Sequence, residues 1–123
     1  MLERRKHPRK TVDLPVTISL SPSHPKNGRM ADISVEGMMF LCVDKPETSS
    51  EVELRFTLPF FHISPDLKIA ADITHVVEAH VTPCSTQPDY HYMVGVKFKK
   101  LQENDRAILN QFMKNDTASD RFE

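Results

Sequence analysis

Tryptophan is absent from this chain, glycine occurs three times, cysteine twice, and aromatic residues make up 7% of 123 positions. Each scarcity removes a class of protein. Small barrels that hold single-stranded nucleic acid stack bases on exposed aromatics interleaved with a basic groove. Here the aromatic supply is thin, and the densest basic cluster sits in one short segment. Two unclustered cysteines exclude a disulfide-dense scaffold and leave no zinc-ligand spacing. Cys42 lies within an apolar run and reads as a buried thiol, while Cys84, between Pro83 and Ser85, reads as a loop residue. No charged-then-apolar leader opens the sequence, so a reduced, cytoplasmic protein is expected. The longest apolar run, Met38 to Val43, is far too short for a membrane-spanning helix.

What is present fits one soluble domain with a single core: 39% hydrophobic and 27% charged residues. A net charge of −1 excludes a bulk polyanion binder. The charge is unevenly placed, however. Arg4, Arg5, Lys6, Arg9 and Lys10 face only Glu3 in the first ten positions, leaving 11 basic and 16 acidic residues for the rest. That asymmetry favours a small anionic ligand at the N-terminal end over a long nucleic acid wrapped on a face.

Six runs along the chain read as strands. Val12 to Leu20 alternates, with Val12, Leu14, Val16, Ile18 and Leu20 on one face and Pro15 marking an edge or bulge. Ser21 to Gly28 reads as a turn. Arg29 to Ile33 and Met38 to Val43 read as strands joined by a hairpin, whose Gly37 falls near a position that needs a permissive backbone. Glu51 to Leu58 alternates again. Leu67 to Val81, rich in β-branched residues, reads as one long strand or a bulged one, and Tyr90 to Phe98 as the last. On a regular strand His75 and His80 fall on opposite faces. Ile108, Leu109, Phe112 and Met113 then change the period to that of a helix, expected from about Glu103 to Lys114 with Asn104 as a candidate cap. The fold class expected is all-β, a barrel with a helical cap. Residues 1–11 form a basic arm, 12–114 the barrel and helix, and 115–123 a frayed polar tail.

Two short motifs carry the chemistry. Arg5-Lys6-His7-Pro8-Arg9 fits R-x-x-x-R, and Asp32-Ile33-Ser34-Val35-Glu36-Gly37 fits D-x-S-x-x-G. An arginine fork matches phosphate oxygens and the O6/N7 edge of guanine, and it stays charged. A carboxylate such as Asp32 accepts from the guanine N–H edge, and a hydroxyl such as Ser34 donates to a phosphate or base oxygen. Gly37 removes a Cβ where a ligand approaches the backbone. Read alone, the first motif is a solvated arm and the second a hairpin turn with Asp32 and Ser34 satisfying local backbone.

Together, in this order, the motifs resemble the PilZ domain, a bacterial receptor for cyclic di-GMP. The pattern Gly95-Val96-Lys97-Phe98 resembles the family's last strand, which is followed by a C-terminal helix. The resemblance implies a six-stranded antiparallel barrel with that helix, and a flexible arm that folds over the dinucleotide. It implies that Arg5, Arg9, Asp32, Ser34 and Gly37 bind cyclic di-GMP. Arg4, just ahead of R-x-x-x-R, would favour an intercalated pair of ligands over a single one. With no output domain in the chain, the readout would fall to a partner protein, in motility, biofilm or virulence control. A ligand-free adaptor of the same fold is the alternative, and a nucleic-acid-binding barrel a remoter one.

No cofactor or metal is expected, since His24, His62, His75, His80 and His91 show no ligand spacing. The chain has no G-x-S-x-G elbow, so Ser34 with Asp32 does not read as a hydrolase site. Met38-Met39-Phe40 reads as core, and Phe60-Phe61 as core or a partner patch.

Overall fold

A computed structural model describes residues 9–19, 25–46, 50–59, 64–81 and 89–114. The elements run β1 (Lys10–Ser19), β2 (Pro25–Ile33), β3 (Gly37–Cys42), β4 (Glu51–Thr57), β5 (Asp66–Val81), β6 (Tyr90–Phe98) and α1 (Glu103–Lys114). Every strand pairing is antiparallel, and the sheet closes on itself in the order β1-β2-β3-β6-β5-β4. Closure gives every strand two neighbours, which is how small β proteins limit edge-to-edge association. The closing seam is short: among the described residues β1 meets β4 at Thr17↔Arg55, Ile18↔Leu54 and Ser19↔Glu53.

Alternation in the sequence becomes alternation in space. Val52, Leu54, Phe56 and Leu58 all point into the barrel, at 4% exposure or less. They meet Val16, Ile18, Met30, Ile33, Met38, Phe40, Ile69, Ile73, Val94 and Val96 in one continuous core. Buried side chains of this size stabilise the fold by about 1.5–3 kcal/mol each, before the entropy of ordering them is subtracted. The helix supplies Leu109 and Phe112 to the same core, so its apolar stripe closes an end of the barrel. Glu103 and Asp105 in its first turn and Lys114 in its last complement the helix dipole.

Several expectations need correction. Asn27 and Gly28 lie within β2, paired to Thr17 and Val16, rather than in a turn. A Cβ at Gly28 would stand 2.6 Å from both the Leu41 carbonyl oxygen and Ile18 Cδ1, so this glycine answers to crowding inside the sheet. Pro15 marks an edge as one of its two expected readings had it, since it pairs with β2 and lies before the seam with β4 begins, while the register shift of β1 falls ahead of it, between Thr11 and Leu14. The strand itself starts at Lys10, where the basic arm was expected to continue. Asn104 sits inside α1, because the Arg106 amide donates to the Gln102 carbonyl and makes Gln102 the capping position.

In β5, register shifts at Ile73/His75 and Glu78/Val81 reset the alternation. His75 and His80 are consequently both exposed, and the His80 ring meets His91 of β6 edge-on at 5.5 Å. Cys42 is the buried thiol expected, its Sγ donating to the Asp44 carbonyl, and burial followed by the Asp44 charge pushes it up to about 11. Arg4, Arg5 and the rest of the arm to residue 8 lie outside the described residues, as do Phe60-Phe61, Cys84 and the tail 115–123.

Candidate functional site

One end of the barrel gathers the start of β1, the β2–β3 turn, the end of β6 and the helix. Lys10 and Thr11 of β1 pair with Ile33 and Asp32 of β2. The Phe98 amide, at the end of β6, donates to the Glu36 carbonyl in the turn. These ladder bonds carry the root of R-x-x-x-R to the beginning of D-x-S-x-x-G. A register shift between Met30 and Asp32 on the β3 side re-aims the motif's first residue.

Arg9 and Asp32 meet there. Arg9 Nη1 donates to Asp32 Oδ1 at 3.3 Å, and both side chains keep about a quarter of their surface in solvent, 28% and 23%. A half-exposed ion pair of this kind contributes about 0–1 kcal/mol. Its weakness matters: the pair orients both groups at little cost to a ligand that separates them. A phosphate would draw the guanidinium more strongly, because a bidentate charge-assisted contact is stronger than this single long one.

Ser34 and Gly37 have structural duties in the same turn. Ser34 is 2% exposed, the one buried polar residue among those described. Its amide donates to the Gly37 carbonyl at 2.9 Å, and its hydroxyl accepts from the Glu36 amide at 3.2 Å. This is the local turn-closing geometry available to serine. Gly37 was expected to supply a permissive backbone, but no glycine has positive φ. A Cβ at Gly37 would instead overlap the Val96 carbonyl oxygen on β6. The structure thus brings Arg9 and Asp32 together at the surface and places Ser34 and Gly37 beneath them as the frame.

Two neighbours escaped the sequence reading. Lys10 Nζ donates to the Phe112 carbonyl at 3.1 Å and stands 4.6 Å from the Phe112 ring centroid. Arg29 of β2 binds Asp13 twice, Nε to Oδ1 at 2.6 Å and Nη2 to the backbone carbonyl at 3.2 Å. Neither belongs to a motif, and the Lys10 contact spans 102 positions, so no local pattern could have announced it.

A broad groove lies elsewhere among the described residues. It encloses about 730 Å³ on the β1–β4–β5 face and is lined by Thr17, Glu51, Glu53, Arg55 and Lys68, with no motif residue among its walls. Glu53 there is already paired with Arg55 and Lys68. No group of three or more His, Cys, Asp or Glu able to hold a metal occurs among the described residues. No described helix is long and apolar enough to cross a membrane.

A closed six-stranded barrel, a C-terminal helix packed into its core and an Arg–Asp pair at the root of a basic arm define a recognisable class. The sequence matches the PilZ domain over residues 3–115, and the chain belongs to that family. Solved structures agree in fold. The inhibitor of motility MotI/DgrA of Bacillus subtilis superposes with a TM-score of 0.70 at 17% identity, covering 93% of this chain and 54% of that one. The PilZ domain of YcgR from Escherichia coli, determined with c-di-GMP, gives 0.69 at 14% identity, covering 89% and 88%. The K. pneumonia MrkH–c-di-GMP complex gives 0.65 at 14% identity, covering 91% of this chain and 52% of that one. The chain therefore spans about half the length of MotI and MrkH. No curated protein matches the sequence significantly.

Proposed function

We propose that this chain is a receptor for cyclic di-GMP that signals to a partner protein. The observation that carries the reading is the Arg9–Asp32 contact, which joins the two motifs at one exposed point of a PilZ barrel. Arg9 takes a phosphate or the O6/N7 edge of a guanine, and Asp32 accepts from that base's N1–H and N2–H₂. Arg5 and Arg4 on the arm supply further forks, and Arg4 favours an intercalated pair of ligands. Ser34 and Gly37 hold the turn from which Asp32 projects, and the Ser34 hydroxyl reaches the ligand if the turn opens. The ligand is a signal, not a cofactor, and the chain performs no catalysis. Its setting is cytoplasmic and its readout a protein contact, with motility or surface attachment as the field of action. That c-di-GMP was bound to YcgR and MrkH supports the choice of ligand.

Calorimetric titration with cyclic di-GMP, with GMP and cyclic di-AMP as controls, tests this. A saturable isotherm confined to the guanine dinucleotide is expected, with two ligands per chain. One ligand per chain would refute the intercalated pair alone. A flat trace from folded protein would overturn the receptor reading and leave a ligand-free adaptor.

A further inference from the structure

β5 and β6 fall out of step near their joined ends. Glu78 pairs with Tyr92 and Val81 with Tyr90, so Ala79 and His80 together oppose the single residue His91. This two-against-one count is a β-bulge, which bends a strand and re-aims its side chains. In an unbroken ladder Ala79 alone would face His91, and His80 would point to the other side of the sheet. The bulge instead brings the two rings together, with centroids 5.5 Å apart and planes at 78°.

That separation suits a shared metal ion. A tetrahedral centre with metal–nitrogen bonds of about 2.1 Å holds two imidazole ring centres about 5 Å apart. Each neutral imidazole supplies one lone-pair nitrogen, and imidazole suits zinc, copper and nickel. The strands need not move, because turning the rings about their side-chain bonds is enough to aim both nitrogens at one point. His80 is exposed and His91 half-buried, so an ion reaches the pair from solvent. The pairing of β6 with β3 ends at Cys42↔Tyr92, and that of β5 with β4 at Glu51↔Asp72. Among the described ladders the two histidines therefore stand on a two-stranded ribbon. Such a ribbon is marginally stable by itself, and an ion held from both strands fastens it.

We infer that His80 and His91 form a binding site for a divalent transition-metal ion of the zinc or copper class, with water filling the remaining positions. The sequence hides the pair, because the bulge that aligns it leaves no residue signature. The site is separate from the cyclic di-GMP reading: His91 lies about 23 Å along β6 from Phe98, whose amide bonds the turn of the ligand motif.

Calorimetric titration of the full chain with Zn²⁺ in a non-chelating buffer tests this, with the electron paramagnetic resonance spectrum of added Cu²⁺ as a second readout. The wild-type chain should take up Zn²⁺ saturably, and bound Cu²⁺ should couple to a pair of imidazole nitrogens. His80→Ala and His91→Ala should each weaken uptake by about tenfold or more, since even a residue that only supports a metal ligand is worth that much. His75→Ala, which changes a histidine outside the pair, should bind as the wild type does. Absence of saturable uptake, or uptake that survives both substitutions unchanged, would overturn the inference and leave the receptor reading untouched.

Discussion

Gly37 lies so close to the Val96 carbonyl across the β3–β6 ladder that no side chain fits between them. The obstacle is backbone, which cannot swing aside as a side chain would. Gly37→Ala is therefore expected to destabilise the ligand-free protein by about 1–3 kcal/mol, the range for forcing extra volume into a packed site. Urea denaturation of the two proteins measures it. Equal stability would show that β3 and β6 spread freely and that the glycine is kept for another reason.

Arg9 and Asp32 should behave in the opposite way. Their contact is half-exposed and long, so Arg9→Ala and Asp32→Ala should each change stability by less than about 1 kcal/mol. Both should weaken cyclic di-GMP binding by about ten- to a hundredfold, because each removes charge-assisted contacts worth about 1.5–3 kcal/mol. Arg9→Lys should rescue poorly, since an ammonium has no planar fork. Unchanged affinity in Arg9→Ala would remove the arginine from the site.

Cys42 offers a test by pH. Its thiol is pushed up to about 11 from 9.0, first by burial and then by the Asp44 charge. A folded pKa above the unfolded one favours the protonated form in the folded state. The associated stability is complete below pH 9 and is lost as pH rises toward 11. In a Cys84→Ser background, iodoacetamide should react slowly with the native protein at pH 8, and at the ordinary rate in denaturant. Equal rates in both states would contradict the burial of this thiol.

Phe112 links barrel and helix. Truncation to alanine removes a fully packed ring and should cost about 3–5 kcal/mol. Chemical denaturation should show one cooperative transition moved to lower urea. A separate early loss of helical signal would mean that α1 is only loosely joined to the barrel.

The strands were legible wherever burial alone sets the pattern. Val52, Leu54, Phe56 and Leu58 announce β4 because one face of a barrel strand is dry and the other wet. Tyr90–Phe98 and Glu103–Lys114 were legible for the same reason, at periods of two and near four. Gly28 misled because its cause is the Leu41 carbonyl across the ladder, and the sequence around it looks like a turn. His75 and His80 misled because register shifts change parity without leaving a residue signature. At the site, the two motifs were visible as strings, and the meeting of Arg9 with Asp32 followed from the β1–β2 hairpin. The inward burial of Ser34 and the hold of Lys10 on Phe112 depend on the finished barrel, so only the assembled structure shows them.

The short seam between β1 and β4 divides the first strand into two mechanical halves. From Thr17 to Ser19 it is gripped on both sides and fastens the cylinder. From Lys10 to Val16 its only ladder partner among the described residues is β2, like a hinged slat on a barrel otherwise hooped shut, with Lys10 pinned at its end to Phe112 of α1. Arg9 and Lys10 lie at the end of that slat, away from the seam that fastens the closure.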